Sequence, residues 1–300
     1  MGCSNEKSIE KPLEKNKDYP ICRFTNPITR EICCIIATNS KTLILGGKNE
    51  LLSFNFDTNE INIISKEIKG RINCLLKTQE GKIISGGQDT NINVWDIENK
   101  KCEYILKGHT SIIWELKYLD ENKIISGADD NSSRIWNLSD KSSIVLYKSK
   151  KNISSIVILD NNKVLLASGK NILLFDINTK EQLSVLDISS WSLLKLKNGD
   201  IAVGLGNGLL FLVKVTDEIL VKSKFPRGHN KTINSIIQLE NNKIITCSDE
   251  NDLIMWDYIE PDSVYFIKGH NNIVTAICLI EGNKFVSVAK DNSLKIWNFV

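Results

Sequence analysis

Only three histidines, five prolines and two methionines occur in these 300 residues, so little imidazole is available for acid–base chemistry. No apolar run reaches the length of a membrane-spanning helix; stretches such as Ile156 to Leu159 and Leu209 to Val213 are strand-sized. The start of the chain lacks the apolar core of a secretory signal, so an oxidising compartment is not implied. None of the eight cysteines forms a C-x-x-C pair. Cys22, Cys33, Cys34, Cys74, Cys102, Cys247 and Cys278 lie in short apolar runs and read as small buried hydrophobes rather than zinc ligands. Lys and Arg number 38 against 36 Asp and Glu, interspersed without a basic stripe, which argues against binding that depends on neutralising phosphates. These absences predict a soluble, cytoplasmic body with no cofactor, no metal and no nucleic-acid partner.

What is present is a rhythm. Lys82 to Gly87, Lys123 to Ala128, Lys163 to Ser168, Lys243 to Ser248 and Lys284 to Ala289 repeat one pattern at close to forty residues. Each segment follows a turn rich in Asn, Asp, Glu or Gly and precedes a second polar turn and a strand ending in Trp or Phe. The markers are Phe54, Trp95, Trp136, Phe175, Phe211, Trp256 and Trp297, with Val213 an alternative to Phe211. Seven units of forty fill the span from Ile21 to Val300. Within a unit the apolar runs are short and β-branched, with no helical period. Ile113 to Leu119, Lys123 to Gly127 and Ser133 to Leu138 are three strands of one unit, and Cys102 to Leu106 is the outer strand of the unit before it. The spacing of Ile113 and Leu116 is odd for one strand face and predicts a bulge near Trp114.

Gly108-His109, Gly228-His229, Gly269-His270, Trp95-Asp96 and Trp256-Asp257, with Trp136-Asn137 and Trp297-Asn298 as near variants, make the chain resemble the WD40-repeat family from about Ile21 to Val300. The resemblance implies an all-β, seven-bladed propeller with four strands per blade. The last unit is one strand short, and Ile21 to Phe24 is predicted to pair with Ser293 to Phe299 and close the ring. Closure removes two sheet edges.

Each His stands 27 residues before a Trp. The resemblance implies that such a His joins a buried network with a second-strand Ser or Thr, a turn Asp and the Trp indole. His109, Ser126, Asp130 and Trp136 form one complete set, and His270, Ser287, Asp291 and Trp297 another. His229, Thr246 and Trp256 are assigned to a third, in which Glu250 stands where Asp is expected, with Asp249 adjacent. Ser85, Asp89 and Trp95 remain in a unit with Gly70-Arg71 where Gly-His would fall. Units marked by Phe54, Phe175 and Phe211 lack the network. Ser, His and Asp also make a nucleophilic triad, but a set duplicated beside Trp at fixed spacing reads as structural bonding, and no catalytic residue is assigned.

Recognition in this family generally uses the narrower propeller face. The resemblance places Arg71, Asn73, Ile112, Trp114, Thr232, Asn234, Ile273 and Thr275 there, with Trp114 as the candidate anchor; Trp191 reads as a core residue. The implied role is a non-enzymatic, monomeric scaffold for proteins or peptides, with the substrate-recognition subunit of a ubiquitin ligase as the alternative. Residues 1–20 lack repeat character and read as a disordered tail ahead of a 21–300 propeller. Met1-Gly2-Cys3-Ser4 is similar to the start of doubly acylated proteins, with Gly2 the myristate and Cys3 the palmitate acceptor, although Glu6 stands where that signal has Ser or Thr. A lipid there would be the chain's route to a peripheral membrane position.

Overall fold

The computed structural model describes residues 20–27, 30–159 and 162–299. Among them every regular element is a strand, and no helix is long and apolar enough to cross a membrane. The strands form seven four-stranded antiparallel sheets, the blades of a ring. Numbered along the chain, blade one spans 32–65, two 72–106, three 113–148, four 153–186, five 190–224 and six 233–267. Blade seven takes its three inner strands from 274–299 and its outermost from Pro20–Pro27, paired antiparallel with Ser293–Phe299. That early strand closes the ring, and prolines at its two ends suit an edge position that demands no further ladder donors.

One register recurs in every blade. An apolar residue at the start of the second strand faces the marker of the third, as Leu43↔Phe54, Ile83↔Trp95, Ile124↔Trp136, Val164↔Phe175, Ile244↔Trp256 and Phe285↔Trp297. In blade five the pair is Ile201↔Val213. The marker of that unit is therefore Val213, buried in the core, and not Phe211, which is half-buried under Lys224. Phe211, two residues earlier in the strand, lies on the same face and packs against the same cluster from its edge.

There is no single central core. The buried apolar residues fall into seven clusters, one at each junction between neighbouring blades; Ile125, Ile135 and Leu146 of blade three, for example, pack on Ile153, Leu166, Leu173 and Phe175 of blade four. Each blade thus buries both faces only when the ring is complete. Second-strand glycines let the blades approach. A Cβ on Gly46, Gly86, Gly127 or Gly204 would meet the first-strand Ile72, Ile113, Ile153 or Ile233 of the next blade at 2.9, 2.9, 2.6 and 2.7 Å, a clash that real packing does not accept.

Candidate functional site: the channel mouth

The first strand of every blade slips by one residue at its start. The shifts fall between Ile32 and Cys34, Ile72 and Cys74, Ile113 and Glu115, Ile153 and Ser155, Ser190 and Ser192, Ile233 and Ser235, and Val274 and Ala276. The bulge expected near Trp114 is one of seven. A bulge leaves one residue out of the ladder and re-aims its side chain. Here the extra residues are Cys33, Asn73, Trp114, Ser154, Trp191, Asn234 and Thr275, and all seven line one central cavity of about 670 Å³ except that its volume is shared with residues deeper in the ring.

The same geometry frees the backbone carbonyl that precedes the bulge, and a polar side chain of the preceding blade takes it. Cys34 Sγ donates to Ile72 O at 3.3 Å, Asn73 Nδ2 to Ile113 O at 3.2 Å, Ser154 Oγ to Ser190 O at 3.5 Å, Ser192 Oγ to Ile233 O at 2.7 Å and Thr275 Oγ1 to Ile32 O at 2.7 Å. Five junctions are stitched in this way around the channel wall, which satisfies buried carbonyls and stiffens the mouth.

Of the eight residues expected on the partner face, Arg71, Asn73, Trp114, Asn234, Ile273 and Thr275 line the cavity. Ile112 and Thr232 do not: the Ile112 carbonyl accepts the Asp129 amide at 2.8 Å, and Thr232 Oγ1 donates to Gly206 O at 3.1 Å, so both sit in turns beside the mouth. Arg71 is paired with Glu31 at 2.6 Å, and Asn234 donates to Asp249 at 3.0 Å. Trp114 is half-buried, its indole N–H donating to Asp129 Oδ1 at 2.6 Å. Trp191 is not a core residue. It is half-buried in the cavity wall, its ring edge-on to Trp114 with centroids 5.3 Å apart and planes at 70°. Counting fourteen residues back from the glycine of the second strand (Gly46 to Ile32, Gly86 to Ile72, Gly127 to Ile113) gives Ser190 from Gly204 and makes Trp191 the bulge residue; that signal lay in the sequence.

The mouth carries charge of both signs. Glu31, Glu115 and Asp249 face Arg71, Lys117 and Lys290 across the cavity wall, and Glu115 is paired with Lys117 at 3.0 Å. The thiol of Cys33 is pushed up to about 11 by burial and then by Glu31, and burial also raises Cys278 to about 11. These are thiols and not thiolates at neutral pH. Among the described residues no cluster of His, Cys, Asp or Glu has the geometry of a metal site.

The histidines lie away from the mouth, in the blades. In blade three Trp136 Nε1 donates to Ser126 Oγ at 2.7 Å, His109 Nε2 lies 2.6 Å from that same oxygen, and His109 Nδ1 lies 2.8 Å from Asp130 Oδ2. One tautomer satisfies every group: the indole donates to the hydroxyl, the hydroxyl to Nε2, and Nδ1–H to the carboxylate. Blade seven repeats it with Trp297–Ser287 at 2.8 Å, His270–Ser287 at 2.6 Å and His270–Asp291 at 3.0 Å. Each Asp also holds its own turn, accepting the Ser132 or Ser293 amide on its other oxygen. In blade six the closed set forms as well: Trp256 donates to Thr246 at 2.8 Å, and His229 reaches Thr246 at 2.9 Å and Glu250 at 3.0 Å. Glu250, one methylene longer than Asp, spans the gap and gathers the amide of Asn230 in addition. Blade two keeps only Trp95 to Ser85 at 2.8 Å, while Asp89 accepts from Asn93 at 2.9 Å.

Burial lowers the pKa of all three histidines, against the pull of their carboxylates, so the neutral tautomer dominates. Burial opposes ionisation of Asp130, but hydrogen bonds from Ser132, the Thr110 amide and His109 outweigh it and hold the carboxyl below its usual range. Ser126 and Ser287 are fully buried, each hydroxyl engaged by an indole and an imidazole. The sets resemble a triad in composition and are closed to any substrate in space.

Seven blades closed by an early strand, with a third-strand Trp bonded to a second-strand hydroxyl in four of them, define a β-propeller of the WD-repeat type. Residues 62–96, 100–137 and 261–298 match the family described as "WD domain, G-beta repeat", so the chain carries WD40 repeats within its seven blades. A search of curated protein sequences gave no match. Among solved structures, the WD40 β-propeller domain of Doa1 superposes with a TM-score of 0.81 at 18% identity, over 94% of this chain and 97% of that one. At that identity the likeness speaks for the fold. Propellers of this family generally serve as platforms for other proteins.

Proposed function

We propose that this chain is a non-catalytic scaffold whose channel mouth receives a protein or peptide partner. The observation that carries the reading is the pair Trp114 and Trp191, two half-buried indoles in edge contact on a wall otherwise made of small and polar bulge residues. Trp dominates interface hot spots because it offers large, rigid, amphipathic area at little entropic cost. Asp129 fixes the Trp114 ring before any partner arrives, which reduces the ordering cost of binding. Ser126, His109 and Asp130, and Ser287, His270 and Asp291, are engaged in blade bonding away from the mouth.

Affinity capture from cell extract with wild type, Trp114→Ala and Trp191→Ala tests the reading. Partners held by wild type and lost by both variants support it; partners retained by both variants would place the interface elsewhere. The same proposal includes tethering through Gly2 and Cys3, which lie outside the described residues. Two lipid signals are needed because one myristoyl chain binds membranes only marginally. A Gly2→Ala variant is expected to leave the membrane fraction of cells; undiminished association would refute the lipid route.

A further inference from the structure

Of nine large hydrophobic residues that stand exposed, six belong to the outer strands of three consecutive blades: Ile144 and Val145 in blade three, Leu183 and Val185 in blade four, Leu220 and Val221 in blade five. Cross-strand partners share a sheet face, so the register shows which way several of them point. Ile144 pairs with Ile135 and Val185 with Leu173, and Ile135 and Leu173 both belong to the cluster between blades three and four. Ile144 and Val185 therefore face each other across the outer end of that junction, 50% and 45% exposed. Tyr147, whose ring lies tilted by 45° against Phe175 with centroids 4.5 Å apart, packs against the same cluster. Leu183, 42% exposed, occupies the slip in the blade-four strand beside it.

The end of this groove is basic. The connection from Lys148 to Ile153 carries the chain from the outer edge of blade three to the inner strand of blade four and so crosses the groove's end. It holds Lys148, Lys150 and Lys151, all exposed and, among the described residues, in no ion pair. The surrounding sequence is basic as well: between Lys141 and Lys231 there are fourteen Lys and Arg against seven Asp and Glu, in a chain whose net charge is only +2.

We propose that this groove docks a short extended segment of a partner protein that carries aliphatic residues at one end and acidic residues at the other. The aliphatic residues fill the space between Ile144 and Val185, and the acidic residues meet Lys148, Lys150 and Lys151. An extended segment fits because the blade-three outer strand, Ser143–Lys148, ends its sheet and offers an unpaired edge alongside the groove. Six residues of strand measure roughly 20 Å, which sets the length of the segment. A bilayer suits the site less well, since the apolar side chains line a cleft between two blades and not a crest that a flat surface would meet. This surface is separate from the channel mouth, and the two can be tested apart.

The test is selection of random peptides, displayed and long enough to span that strand, against the full chain, with binding of the enriched peptides then measured by fluorescence anisotropy. Enriched peptides are expected to share a run of aliphatic residues flanked on one side by Asp or Glu. Ile144→Asp with Val185→Asp should weaken them roughly tenfold or more. Lys150→Glu with Lys151→Glu should weaken them and flatten their salt dependence, and Trp114→Ala should leave them unchanged. Ile144→Ser with Val185→Ser is the second apolar variant, used if the double Asp variant fails to match the wild-type unfolding midpoint. Failure to enrich any common pattern, equal binding by the apolar variants, or loss of binding on Trp114→Ala alone would overturn the proposal. So would groove-dependent self-association of the wild type in sedimentation. Groove-dependent binding of the unacylated chain to phosphatidylserine vesicles would assign the face to lipid and overturn it equally.

Discussion

Replacing Ser126 by Ala removes one oxygen and leaves two buried groups without partners. Trp136 Nε1, at 2.7 Å, loses its acceptor, and His109 Nε2, at 2.6 Å, loses its donor. Each unsatisfied buried group costs about 1–3 kcal/mol, so the change should cost about 2–6 kcal/mol. Ser85 in blade two supplies the internal standard. It is equally buried and accepts Trp95 Nε1 at 2.8 Å, but no imidazole completes that set. Ser85→Ala deletes the same atom and strands one group, for about 1–3 kcal/mol. Because side-chain volume lost is identical, the difference between the variants isolates the histidine arm. The assay is urea unfolding followed by tryptophan fluorescence, with the slope compared between variants so that a change in midpoint reports stability. Equal losses for Ser126→Ala and Ser85→Ala would refute the view that the imidazole, hydroxyl and indole act as one bonded chain.

Deleting residues 20–27 with everything before them should expose the Ser293–Phe299 strand and lower both the unfolding midpoint and the slope; a truncated chain that melts with wild-type cooperativity would contradict closure by that strand. Acid should destabilise in two stages. All three histidines have folded pKa values below 6.5, so the unfolded chain binds more protons as pH falls through 6.5 and stability drops with it. Asp130, Glu250 and Asp291 are also held low, so a second loss follows as the pH falls through the ordinary carboxylate range. A melting temperature constant between pH 7.5 and pH 5 would contradict burial of neutral imidazoles.

The blade number was readable because a forty-residue rhythm survives where individual signature residues have decayed. Blade five has neither the His nor the Trp, yet its second strand still places Gly204 where blades one, two and three have Gly46, Gly86 and Gly127. Register was harder. Phe211 and Trp191 are both large aromatics, and hydrophobicity assigns each to the interior; the ladder gives the inner position to Val213 and leaves Phe211 half-buried at the edge of the same cluster, and the bulge turns Trp191 to the channel. In blade six the departure from Asp is one of length and not of chemistry, and the reach of the Glu250 side chain supplies the carboxylate that His229 needs. The channel wall was legible in part: Arg71, Asn73, Trp114, Asn234, Ile273 and Thr275, singled out by their place in the repeat, line the cavity, whereas the contact of Trp114 with Trp191 joins two distant points of the chain that meet only in the closed ring. The outer groove was equally hidden, because the facing of Ile144 and Val185 follows from pairing partners in two different sheets.

The outermost strand of blade seven is made early in synthesis, yet its partner strand emerges almost a whole chain later. During translation, blades one to six can accumulate behind the ribosome while the early segment stays unmated. Ring formation is thus a terminal checkpoint: a nascent chain halted before Ser293 would hold a broken circle with two open junctions, a state that chaperones and proteases can distinguish from the finished molecule.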